Sequence, residues 1–197
     1  MGNTAFRIVS ANRQSWVEVE PVAVESSHLP GIQVRIGVSD EGFGGYHPEI
    51  WLEAEPLMCF VSQLANVVKG SGQVILISMS PNEFLLTISK SSHQQSFKIA
   101  YELTRTSYHS GQVLTSKSVK GEFELDHEFQ NILLQDFSTL TRLLADKDTY
   151  EIWRQDDHGH QYLMKTVVSR ANAIREVEHF ESLGHKQSYW FQKSGQS

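Results

Sequence analysis

TYEIWRQDDHGHQYLMKTVVSRANAIREVEHFESLGHKQSYWFQK, Thr149 to Lys193, is the stretch whose reading decides the fold. Tyr150–Gln155 and Tyr162–Val168 are rich in aromatic and β-branched residues and flank Asp156-Asp157-His158-Gly159-His160, a run suited to a hairpin turn. Ser169 then stands where a helix cap is needed, and Ala173, Ile174, Val177, Phe180 and Leu183 recur at helical spacing until Gly184 stops them. Gln187–Gln192 supplies a third strand. The prediction is a β-β-α-β unit in which one helix covers one sheet face. Its other face, carrying Trp153 or Trp190, needs a partner, because so small a unit is near the lower limit for folding alone.

Nothing earlier in the chain repeats this unit. The sequence therefore divides near Ala145-Asp146-Lys147-Asp148 into residues 1–146 and a small module, residues 147–197. The larger part reads mainly as strands. Phe6–Val9, Trp16–Glu20 and Ile32–Val38 are the first, with Pro21 ending the second or marking an edge. Gly42–Pro48 reads as a flexible loop and Glu49–Glu53 as a strand. Pro56 in a first turn, then Leu57, Phe60, Val61, Leu64 and Val67 at helical spacing, predict a helix that stops at Gly70. Strands resume at Gln73–Met79, Glu83–Ser89, Gln95–Thr104 and Val113–Leu125, separated by Ser-Pro-Asn, Ser-Ser-His and His-Ser-Gly turns. A second helix, Asp126–Leu144, is capped by Asp126 and buries Phe129, Ile132, Leu133, Phe137, Leu140, Leu143 and Leu144. The expected class is α+β: an antiparallel meander with two helices packed on it, plus the C-terminal β-β-α-β module.

Composition narrows the function classes. Residues 1–146 hold ten Lys and Arg against sixteen Asp and Glu, a net of −6, whereas residues 147–197 hold seven of each. An acidic main domain is a poor match to nucleic-acid phosphate. The single cysteine, Cys59, excludes an intramolecular disulfide and a four-cysteine zinc site. The N-terminal residues show no basic start followed by an apolar run, and no apolar stretch approaches the ~20 residues needed to span a bilayer. The expectation is a cytoplasmic protein with no membrane partner and no cofactor.

Ile50-Trp51-Leu52-Glu53 leading into Leu57, Phe60 and Leu64, then hairpin strands, Gly121-Glu122-Phe123-Glu124-Leu125 and a closing leucine-rich helix, resemble the WapI family of immunity proteins over about residues 30–144. The resemblance implies a bacterial, antitoxin-like protein that neutralises a toxin by stoichiometric binding, and it offers no catalytic residue. The tail, from Tyr150–Asp157 to Gly184–Trp190, is similar to small uncharacterised bacterial modules.

The candidate sites are weighed against plainer roles. His158 and His160 with Asp156 and Asp157 have metal-ligand chemistry, but these are also ordinary turn residues. Cys59 lies beside Leu57, Phe60 and Val61 and is expected to be a buried small hydrophobe rather than a nucleophile. Glu49, Glu53 and Glu55 cluster at a strand-to-helix junction, where they suit acid–base work, a helix dipole or a basic partner. Phe43 and Tyr46 in the glycine loop suit either partner contact or cover for a core edge. Trp153, Arg154, Tyr189 and Trp190 have hot-spot chemistry or else fill the seam between the module and the main domain. Arg154, Lys165 and Lys186 offer phosphate contacts on a net-neutral module. The reading is a non-enzymatic binder of a basic protein, with homodimerisation as a further possibility. A small hydrolase or metal-dependent enzyme, or nucleic-acid binding through the tail, is the alternative.

Overall fold

Residues 5–25, 29–90, 96–109, 112–184 and 187–195 are described by the computed structural model. Four strands, β1 (Phe6–Val9), β2 (Ser15–Glu25), β3 (Gly31–Asp40) and β4 (Phe43–Glu53), form an antiparallel meander that runs into helix α1 (Ala54–Lys69). The order then recurs. Strands β5 (Gly72–Ile77), β6 (Phe84–Lys90), β7 (Phe97–His109) and β8 (Gln112–Glu124) form a second antiparallel meander that runs into α2 (His127–Ala145). The class is α+β, with two four-stranded sheets where one was expected.

Alternation builds both sheets. Val17, Val19, Ile32, Val34, Ile36, Ile50 and Leu52 point inward from the first, and Val74, Leu76, Leu86, Ile88, Ile99, Tyr101 and Leu103 from the second, into one continuous core. The helices close it. Leu57, Phe60, Leu64 and Val67 form the buried stripe of α1, and Leu133, Phe137 and Leu140 that of α2. Phe137 meets Phe60 edge-on at 4.9 Å and Phe6 at 5.1 Å between ring centroids. Each helix reaches the other sheet: α1 lies against β5 and β6 as well as β3 and β4, and α2 lies against β1, β2 and β3. Backbone bonds knit the sheet margins, with Ala11 N–H donating to Glu124 O (2.9 Å), Asp126 N–H to Val9 O (3.0 Å) and Met79 N–H to Trp51 O (2.8 Å).

Three local expectations change. Pro21 neither ends β2 nor marks an edge strand: the strand continues to Glu25 through a bulge between Pro21 and Ala23, and β2 lies between β1 and β3. The segment Phe43–Pro48 is strand rather than loop. Its Gly45 permits a close crossing, since a Cβ there would stand 3.0 Å from Val119 Cγ2, and Pro48 falls at the bulge in the β3–β4 register. Ile132 is exposed rather than part of the α2 stripe. The expected Ser-Ser-His turn and the start of β7 at Gln95 lie outside the described residues.

The tail forms the third sheet. Its order is β10-β9-β11, from β9 (Thr149–Gln155), β10 (Gln161–Val168) and β11 (Ser188–Lys193), with α3 (Arg170–Ser182) on one face. Tyr150, Ile152 and Ala173 are its small core. The contact with the larger part is made by α3 on β2: Val24 N–H donates to Asn172 Oδ1 (3.0 Å) and Asn172 Nδ2 donates to Val24 O (2.6 Å). Among the described residues, no helix is long and apolar enough to cross a membrane.

Candidate protein-binding surface

Strand alternation sorts β4 into two faces. His47, Ile50 and Leu52 are buried, so Tyr46, Glu49, Trp51 and Glu53 face outward. His47 accepts the Glu49 N–H on Nδ1 at 3.2 Å. Burial lowers its pKa below the usual histidine range, assisted by Arg105 and opposed by Glu83 and Glu49. Trp51 lies over Gly31, where a Cβ would stand 2.7 Å from its Nε1 and 2.6 Å from Leu52 O, so only glycine lets the indole settle there. That Nε1 is buried without an acceptor.

The chain turns from β4 directly into α1. Glu53 occupies the cap position but makes no side-chain capping bond, and Glu55 lies in the first turn, where the helix dipole favours a carboxylate. Leu29, Pro30, Glu53, Ala54, Glu55, Pro56, Met58 and Cys59 line a hollow of about 610 Å³ at this junction. Leu29 and Met58 are 56% and 52% exposed, so the floor is apolar and open to solvent. Among the described residues Glu49, Glu53 and Glu55 form no ion pair, whereas elsewhere on the sheets Glu18 meets Arg7, Glu20 meets Arg35, Glu122 meets Lys98 and Glu102 meets Lys120. The structure thus brings the three glutamates to one margin, with Glu53 and Glu55 on a shared apolar hollow.

Cys59 corrects an expectation: it is exposed. The buried stripe of α1 runs through Leu57, Phe60, Leu64 and Val67, and Cys59 falls off it, together with Met58. Its sulfur accepts from Gln63 Nε2 at 3.3 Å. The contributions of Leu29 and Met58 to the hollow were missed in the sequence. The only available signal was that Met58 lies off the helical stripe.

The tail residues divide between two faces. Leu163, Trp153 and Trp190 stand in register across all three strands, on the face turned away from α3. Trp153 Nε1 and Gln192 Nε2 both donate to Glu151 Oε2, each at 3.1 Å. Arg154 and Tyr189 are on the α3 side. Tyr189 is buried and stacks on Phe180 at 5.3 Å, and the Arg154 guanidinium lies 5.0 Å from the Tyr162 ring centroid. Asn172 of α3 makes the hydrogen bonds to β2 across the seam with the larger part. Of the three cations suited to phosphate, Lys165 pairs with Glu176 at 2.8 Å and Lys186 lies outside the described residues.

His158 and His160 sit on the β9–β10 turn. Asp156 accepts from both their backbone N–H groups at 2.9 Å and faces His160 Nδ1 at 3.2 Å. Desolvation works against its ionisation, but these bonds outweigh it and hold the carboxyl below the usual range. Asp156 and His160 are therefore engaged within the turn. Among the described residues, no group of three or more His, Cys, Asp or Glu is placed to hold a metal ion. Comparison with protein-family models, curated proteins and solved structures finds no match for this chain.

Proposed function

We propose that this protein is a non-enzymatic, stoichiometric binder of a basic protein, acting in the cytoplasm as an immunity protein of the WapI type that neutralises a bacterial toxin. In this reading residues 1–146 are the binding unit and the β-β-α-β module is appended to it. The observation that carries the proposal is the β4–α1 junction: Glu49, Glu53 and Glu55, which form no ion pair among the described residues, with Glu53 and Glu55 lining an open apolar hollow. Interfaces combine an apolar centre with a polar rim, and complementary charge raises association rate and selects the partner. Glu53 and Glu55 flank Leu29, Pro30, Met58 and Ala54, which sets acidic groups around an apolar centre.

The test is affinity purification from native lysate with the tagged full-length chain, at low and high salt, beside a Glu53→Lys/Glu55→Lys variant. The expected result is one basic protein retained by the wild type at low salt in a 1:1 complex, and lost by the variant. Retention by both chains alike, or recovery of no protein by the wild type, overturns the proposal.

A further inference from the structure

The outer face of β4 carries a graded row: Tyr46, then Glu49, Trp51 and Glu53, then the hollow floored by Leu29 and Met58. Tyr46 is 54% exposed, and Glu49 is exposed beside it. The row thus alternates acid and apolar character and ends in an apolar depression. The nearest cation on β3, Arg35, is engaged by Glu20 at 2.9 Å, so it does not neutralise the row.

We infer that the partner presents an extended segment to this row, with cationic side chains at two positions four residues apart, an apolar side chain between them and another two residues beyond. The inference rests on the reading of the protein as a binder of a basic partner, and it specifies how that partner is held. Spacing carries it. Same-face residues on a strand recur every ~6.7 Å, which puts Glu49 and Glu53 about 13 Å apart with Trp51 midway. An extended segment lying along β4 has the same step, so its positions i, i+2, i+4 and i+6 fall on Glu49, Trp51, Glu53 and the hollow in turn. A helix offers a same-face step of only ~5.4 Å per turn and drifts out of phase within two steps. Charge complementarity fixes the class of occupant: lysine or arginine over the two glutamates, and aliphatic side chains over Trp51 and in the hollow.

The probe is a synthetic peptide, Lys-Thr-Leu-Thr-Lys-Thr-Leu with blocked ends, against Lys-Lys-Thr-Thr-Thr-Leu-Leu of identical composition. Amide shifts of the full-length, isotopically labelled protein are followed up to millimolar peptide. The expected result is perturbation centred on Tyr46–Glu53 and on Leu29 and Met58, with at least tenfold tighter binding of the alternating peptide. Glu49→Lys/Glu53→Lys should abolish it, while Glu178→Lys on exposed α3 leaves it unchanged. Equal binding of the two peptides, perturbation elsewhere, or none at millimolar concentration overturns the inference. If the native partner is nonetheless captured and lost with Glu53→Lys/Glu55→Lys, the extended mode alone has failed. If that capture also fails, the underlying reading has failed.

Discussion

The β4–α1 and β8–α2 junctions occupy equivalent places, each where a four-stranded meander turns into its helix, and they are finished differently. At β8–α2, Asp126 is nearly buried, accepts the Glu128 N–H at 3.0 Å and faces Arg13 at 3.5 Å, while Arg13 also holds Glu128 at 3.0 Å. At β4–α1 the Glu53 side chain makes no capping bond, the glutamates form no ion pair among the described residues, and Leu29 and Met58 stand open. One junction spends its polar groups on the fold and the other keeps them outward. That difference is what the proposed binding surface rests on: an open apolar patch beside outward-facing carboxylates.

Phe137 lies where both helices meet, so Phe137→Ala should destabilise the protein by about 3–5 kcal/mol, read from urea unfolding. A loss confined to one helix would refute the shared core. Next, Asp126→Ala should cost about 1–2 kcal/mol through the lost cap, whereas Glu53→Ala should stay within about 0.5 kcal/mol. Equal losses would remove the distinction between the junctions.

pH separates the two four-stranded sheets further. His47 belongs to β4, and its folded pKa is depressed, so its contribution is present above the ordinary value of 6.5 and is lost as pH falls through the lowered one. Tyr101 belongs to β7. Burial, then the Asp40 carboxylate, push it from 10 to about 12, so its contribution is complete below pH 10 and declines as pH rises towards 12. Thermal melts of His47→Gln should flatten only the acid arm, and melts of Tyr101→Phe only the alkaline arm. Smallest of all, Lys120→Ala removes one exposed pair with Glu102 and should change stability by at most about 1 kcal/mol, with partner binding unaltered. A large binding loss there would move the partner surface to the second sheet.

Much of this was legible in the sequence where local chemistry decides. The Asp126 cap, the α1 stripe from Leu57 to Val67 and the β-β-α-β element order of the tail follow from spacing and caps. The division into two sheets was not, because alternation shows that a strand has an inner face but not which sheet it joins. Gly42–Pro48 looked like a loop because glycine signals freedom, whereas Gly45 serves the close approach of Val119. The three glutamates were visible as a cluster. Their apolar company was hidden, since Leu29 comes from the segment just before β3 and Met58 from the outer side of α1.

The most direct test uses Cys59, the single cysteine, which is exposed on the wall of the hollow. Its alkylation rate by iodoacetamide is measured in the full-length protein alone and in the 1:1 complex captured from native lysate. If the partner covers the β4–α1 junction as proposed, the reaction is at least tenfold slower in the complex. An unchanged rate with the partner bound would contradict it and place the contact elsewhere on the molecule.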